Sequence, residues 1–90
     1  MIHDDRSDSE RKTHTYIVVG TDSFMSGWGL AKGGASFAAW ACTKNDLEAV
    51  LAWVRNRGDM RRVRVVGAGW RPRAAHTHIY VVHPGHPALG

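Results

Sequence analysis

Hydrophobic positions Leu47, Val50, Leu51 and Val54 recur at i, i+3, i+4 and i+7, while Lys44, Glu48, Arg55 and Asn56 fall mostly off that stripe. This spacing predicts an amphipathic helix with one buried face. Its ends are marked as well. Thr43 is placed to cap the start, with Asp46 and Glu48 beside the positive end of the helix dipole. Gly58 supplies a left-handed residue at the stop, and Arg55 and Arg57 suit the negative end. From residue 61 to 66 the period switches to two. Val63 and Val65 then fall on one side of a strand, with Arg62, Arg64 and Val66 on the other.

Three more segments read as strands. Residues 13–20 are β-branched and aromatic, with Ile17 and Val19 on one face and Tyr16 and Val18 opposite. Residues 35–42 are rich in alanine, which favours a helix. The strand reading is preferred because Gly33 and Gly34 precede the segment, a fresh helix cap follows at Thr43, and its aromatics suit a half-buried sheet. Residues 76–82 alternate again. Residues 21–34 carry four glycines and no sustained period, predicting a long connection with a short irregular strand near Trp28. Residues 67–75 read as turn or loop.

The expected fold is therefore α+β: a small antiparallel or mixed sheet of about four strands in ββαββ order, with one helix packed on one face. Residues 1–12, where only Met1 and Ile2 are apolar, are expected to form a mobile polar tail. Residues 13–83 form the single domain. Residues 84–90 are a C-terminal tail, because Pro84 and Pro87 cannot donate to a sheet ladder. If Ile17, Val19, Phe37, Ala39, Val63, Val65, Ile79 and Val81 face the helix, parity assigns Tyr16, Val18, Trp40, Arg62, Arg64, His78 and Tyr80 to the opposite face.

Charge sharpens this picture. The 90 residues carry a formal net charge of +4, enough chain for one modest core. Seven arginines between Arg55 and Arg73 oppose Asp59 alone. Such a cluster favours acidic partners, whether nucleic acid, acidic protein or a membrane surface. A single cysteine, Cys42, excludes an internal disulfide and fits a reducing compartment. No apolar run approaches the ~20 residues of a membrane span, and the N-terminus lacks the apolar centre of a signal peptide. The expected location is the cytoplasm, with no membrane partner.

Candidate chemistry is sparse. His76 and His78 project from one face of a strand, a spacing that some metal sites use, but unless a distant acidic residue is invoked a third ligand would have to come from His14, His83 or His86. Hydrogen-bonded or solvated histidines are the preferred reading, so no metal ligand is assigned. A nuclease built on two histidines and a tyrosine nucleophile fits poorly, since Thr77 separates the pair and Tyr80 lies in the same strand. Gly27-Trp28-Gly29 and Gly33-Gly34 match no phosphate-binding spacing. Nothing places Ser23, Ser26 or Cys42 beside a base, and Cys42 reads as a small hydrophobe. No catalytic residue and no cofactor are expected. The aromatic and arginine face remains the most informative feature. It suits a protein interface, a nucleic-acid platform or a solvated surface.

At SGWGLAKGGASFAAWAC, RNRGDMRRVRVV and AAHTHIYVV the chain resembles a group of small proteins encoded in phages and prophages. The likeness runs over about residues 15–83. It transfers no catalytic residue. The resemblance implies an accessory protein that binds a host machine, and small anti-CRISPR proteins are a conspicuous class of such inhibitors. The resulting expectation is a non-enzymatic, anti-CRISPR-like inhibitor in the host cytoplasm. It would occlude a host CRISPR effector or another defence complex through Arg62, Arg64, Trp40, Tyr80, Arg71 and Arg73, as a monomer or homodimer. The alternative is a small basic nucleic-acid-binding module or nuclease.

Overall fold

In the computed structural model, residues 2–22, 36–67, 69–71 and 76–90 are described. The four expected strands are present as β2 (Tyr16–Asp22), β3 (Ser36–Cys42), β4 (Met60–Val66) and β5 (His76–Val81). A fifth strand, β1 (Ile2–Asp4), comes from the segment expected to lie outside the fold. The sheet order is β1-β5-β3-β2-β4, with β1, β5 and β3 mutually parallel and β2 antiparallel to both β3 and β4. The fold is α+β with a five-stranded mixed sheet and one main helix, α2 (Leu47–Asn56). The expected connection over residues 23–35, including the strand near Trp28, lies outside the described residues.

Hydrogen bonds between polar groups, rather than apolar burial, hold the N-terminal segment in place. Ser7 and Glu10 form a reciprocal cap at the start of the short helix α1 (Glu10–Thr13). The Ser7 hydroxyl accepts from the Glu10 amide at 3.2 Å, and the Glu10 carboxylate accepts from the Ser7 amide at 2.9 Å. Arg6 then clasps Asp4 through Nε at 3.1 Å and Nη2 at 2.9 Å, and its Nη1 donates to the His14 carbonyl at 3.2 Å. The β1–β5 ladder holds this segment against β5.

α2 begins through a 3-10 turn, Lys44–Asp46, rather than at a hydroxyl cap: Thr43 is extended and its side chain makes no cap bond. The predicted stripe is the buried one. Val50 and Val54 are fully buried, with Leu47, Leu51 and Trp53 packed against the same cluster. Each buried valine contributes about 1.5–3 kcal/mol relative to leaving it exposed. Gly58 ends the segment at φ 79°, as its sequence position predicts.

The predicted division of faces holds along β2, β3 and β5, but α2 occupies the opposite one. Val18, Trp40, Cys42 and Val82 form the cluster with Val50 and Val54, while Ile17, Val19, Ala39, Ala41 and Ile79 form a second cluster on the far side. Both clusters are buried because β2 and β3 are central strands with apolar residues at both parities. Alternation alone therefore could not orient the helix.

In β4 the period is also broken. Gly20 alone spans the register between Val19↔Arg64 and Thr21↔Arg61, so Arg62 and Val63 share one step of β2. Arg62 takes φ 53°, and this β-bulge lets Met60 and Val63 both join the helix-side cluster. The C-terminal segment is likewise part of the fold. A 3-10 turn, Pro87–Leu89, sends Ala88 and Leu89 onto the α2 core.

Candidate functional site

α2 packs over β2, β3 and β4 and against the Pro87–Leu89 turn, leaving room on the same sheet face above β5. An open groove of about 580 Å3 lies there, lined by Asp5, Trp40, Arg57, Tyr80, His83 and His86 among others. Trp40, only 3% exposed, forms its inner wall. It meets Trp53 of α2 edge-on at 5.7 Å and stacks with Tyr80 at 5.7 Å. The Arg57 guanidinium lies 5.3 Å from the Trp40 ring and 5.0 Å from the Trp53 ring, while its Nε and Nη2 donate to Asp59 at 3.0 and 2.8 Å. That arginine holds the Asp59 carboxyl below the usual range.

His83 and His86 line the groove, and His3 and His78 lie against its lining residues Asp5 and Tyr80. β1 pairs with β5 in a register that sets His3 opposite His78, and the rings lie 4.6 Å apart. Asp5 continues the ladder by donating its amide to the Ile79 carbonyl at 3.0 Å. Its two carboxylate oxygens reach His3 Nε2 at 2.9 Å and His78 Nε2 at 2.8 Å. The bond to His78, with further help from His3, holds the Asp5 carboxyl below the usual carboxylate range. Tyr80 stacks flat on His78 at 4.0 Å and fixes its ring plane. Farther along, His83 bonds the Glu10 carboxylate. The Ser7 amide, followed by His83, pulls that carboxyl down to about 2. His86 stands edge-on to Trp53 at 5.0 Å and accepts the Ala88 amide through Nδ1, and its burial pushes its pKa down.

The arginines expected at the interface lie elsewhere. β4 is the opposite edge of the sheet, with Arg61 and Arg62 exposed along it. Arg64 is half-buried on the far face, where its guanidinium sits 5.1 Å from the Phe37 ring and donates to the Arg62 carbonyl at 3.0 Å. Arg71 is exposed beyond the turn in which the Trp70 amide bonds the Gly67 carbonyl at 3.1 Å. Arg73 lies outside the described residues.

The composite aromatic and arginine face expected from parity is thus not assembled. Trp40 is core, and Tyr80, 40% exposed, stands in the groove. Arg62 projects from a bulge at the distant edge and Arg64 belongs to the other face. Cys42 is fully buried with its pKa pushed up to about 11, chiefly by burial, in keeping with its reading as an inert hydrophobe. The sequence reading missed Asp5, His3 and Glu10. The Ser7-x-x-Glu10 capping pattern was the signal available to find an ordered segment there.

Among the described residues no helix is long and apolar enough to cross a membrane. No family model, curated protein or solved structure matches the chain.

Proposed function

We propose that this protein is a non-enzymatic binding protein that occludes an acidic surface of a host nucleoprotein effector complex, as an anti-CRISPR-like inhibitor does. The contact surface is the arginine-lined edge of β4. The observation that carries this reading is the exposure of the adjacent residues Arg61 and Arg62 on an edge strand interrupted by a bulge. The bulge and charges discourage a second sheet from adding to that edge, and they leave the positive field available to an acidic partner. The resemblance to small phage-encoded proteins supplies the class of target.

Arg64 is a poor probe of this surface because its stem and guanidinium pack on Phe37. The better test is Arg61→Glu with Arg62→Glu, two exposed positions at which the change of charge removes no buried contact. The wild type should capture a purified CRISPR effector complex and protect phage from interference. The double variant, with an unchanged melting curve, should lose at least about tenfold in capture, a loss of about 1.4 kcal/mol. Wild-type protein that neither captures an effector nor protects phage would refute the inhibitor reading, and full capture by the double variant would refute the surface. Binding to free nucleic acid that falls steeply with salt would instead point to the nucleic-acid module.

A further inference from the structure

We infer that His3, Asp5 and His78 form a binding site for one divalent transition-metal ion of the zinc class, at the β1–β5 end of the groove. The inference begins with the backbone. Parallel pairing of His3 with His78 sends both side chains to one face, and Asp5, two residues beyond His3, returns to that face. Two imidazole nitrogens and a carboxylate oxygen consequently lie within 4.8 Å of one another. Bonds of about 2.0–2.2 Å from a zinc ion to histidine nitrogen and carboxylate oxygen place neighbouring ligand atoms about 3–3.5 Å apart. Asp5 Oδ1 stands 2.9 Å from His3 Nε2 and Asp5 Oδ2 stands 2.8 Å from His78 Nε2, so each imidazole is already near that range from one oxygen of the carboxylate. One carboxylate oxygen must turn to the ion while His3 and His78 close on each other, and the His3 side chain is 66% exposed.

The donor set selects the ion. Two imidazoles and one carboxylate suit zinc, cobalt, nickel or iron, whereas magnesium and calcium take oxygen ligands. The supporting shell is present as well. Tyr80 stacks on His78 and sets its orientation, and the Asp5 backbone is pinned to Ile79. The three ligands come from two adjacent strands and approach from the protein side. Asp5 and His78 side chains remain 39% and 38% exposed, so the outer coordination positions open toward solvent and the groove. Such a site closes the β1 edge onto β5 and accepts an exogenous fourth ligand.

The test uses the full chain without an affinity tag, titrated with Zn(II) by calorimetry and with Co(II) by visible absorption. One equivalent should bind, with the cobalt d–d bands of a low-symmetry site. Asp5→Asn and His78→Ala should each weaken binding at least tenfold, while His83→Ala at the other end of the groove should not. Melting temperature should rise with Zn(II) in the wild type and stay flat in Asp5→Asn. If His78→Ala lowers stability, His3→Gln at its exposed position supplies the same comparison. No binding below millimolar metal, or binding indifferent to Asp5→Asn and His3→Gln, overturns the site and leaves the cluster as a hydrogen-bonded clasp between strands. This outcome is independent of effector capture, which reads the opposite edge.

Discussion

Gly20→Ala offers a sensitive test of the bulge that organises β4. Gly20 lacks a positive φ, so its backbone admits alanine. In open space the substitution would stabilise the protein by about 0.4–1 kcal/mol by restricting the unfolded chain. Space is what is missing. A methyl group at Gly20 would meet Met60 Cβ at 2.8 Å, Sδ at 2.8 Å and Cγ at 2.9 Å. The thioether can swing aside, but Cβ is fixed to the β4 backbone beside the bulge, so relief requires the strand itself to move. Overpacking of this kind costs about 1–3 kcal/mol, which exceeds the unfolded-state gain and sets the sign as destabilising. For a domain of this size each kcal/mol lowers the melting temperature by about 4–8 °C. Urea denaturation of Gly20→Ala, Met60→Ala and the double variant gives the coupling. The double variant should be more stable than the sum of the singles, since Cγ and Sδ are gone while the Cβ contact remains. A neutral or stabilising Gly20→Ala would refute the placement of Met60 across Gly20.

Removal of residues 1–6 should lower the melting temperature and speed exchange of β5 amides, because it deletes β1, the Asp5–Ile79 bond and the Asp4–Arg6 clasp; unchanged protection in β5 would contradict the edge pairing. Stability should also depend on His86. Its folded pKa lies below the unfolded value near 6.5, first through burial and then through His83, so the unfolded chain takes up a proton first and stability falls as pH drops below about 6.5. His86→Asn should flatten that limb of the urea midpoint between pH 7.5 and 5.5, and an unaltered limb would assign it to other groups.

The stripe Leu47, Val50, Leu51 and Val54 was readable because a helix buried on one side must repeat every three to four residues, and Gly58 marked its end. The strands were readable for the same reason, but their faces were not. Ile17, Val18 and Val19 are all buried, and so are Ala39, Trp40, Ala41 and Cys42. A central strand covered on both sides carries no polar parity to show which side holds the helix. The bulge at Arg62 then shifted the β4 phase, and no simple alternation signals an arginine with positive φ. The candidate site suffered from a different omission. Low hydrophobicity in the first residues suggested a mobile tail, yet Asp4, Arg6, Ser7 and Glu10 satisfy one another locally and need little apolar burial. With that segment set aside, nothing singled out His3 or Asp5 as a co-ligand of His78, and their pairing arises from a parallel register spanning most of the chain.

Sheet order separates the two proposed activities. β1 and β4 are opposite edges of five strands, and four interstrand spacings of about 4.8 Å place them about 19 Å apart. That distance exceeds the Debye length of about 8 Å at physiological ionic strength, so the charge of a bound metal at His3, Asp5 and His78 should scarcely alter the field around Arg61 and Arg62. Metal occupancy should therefore leave arginine-dependent capture of an effector unchanged to within about twofold, and Asp5→Asn should retain it, provided that the contact is confined to the β4 edge. Capture measured with Zn(II) and with chelator, at about 0.15 M salt where that screening applies, decides the matter. A large zinc effect that disappears in Asp5→Asn would mean that the partner reaches across the groove to the metal edge. The arginine edge would then be only part of the interface, and the groove between the two edges would belong to it.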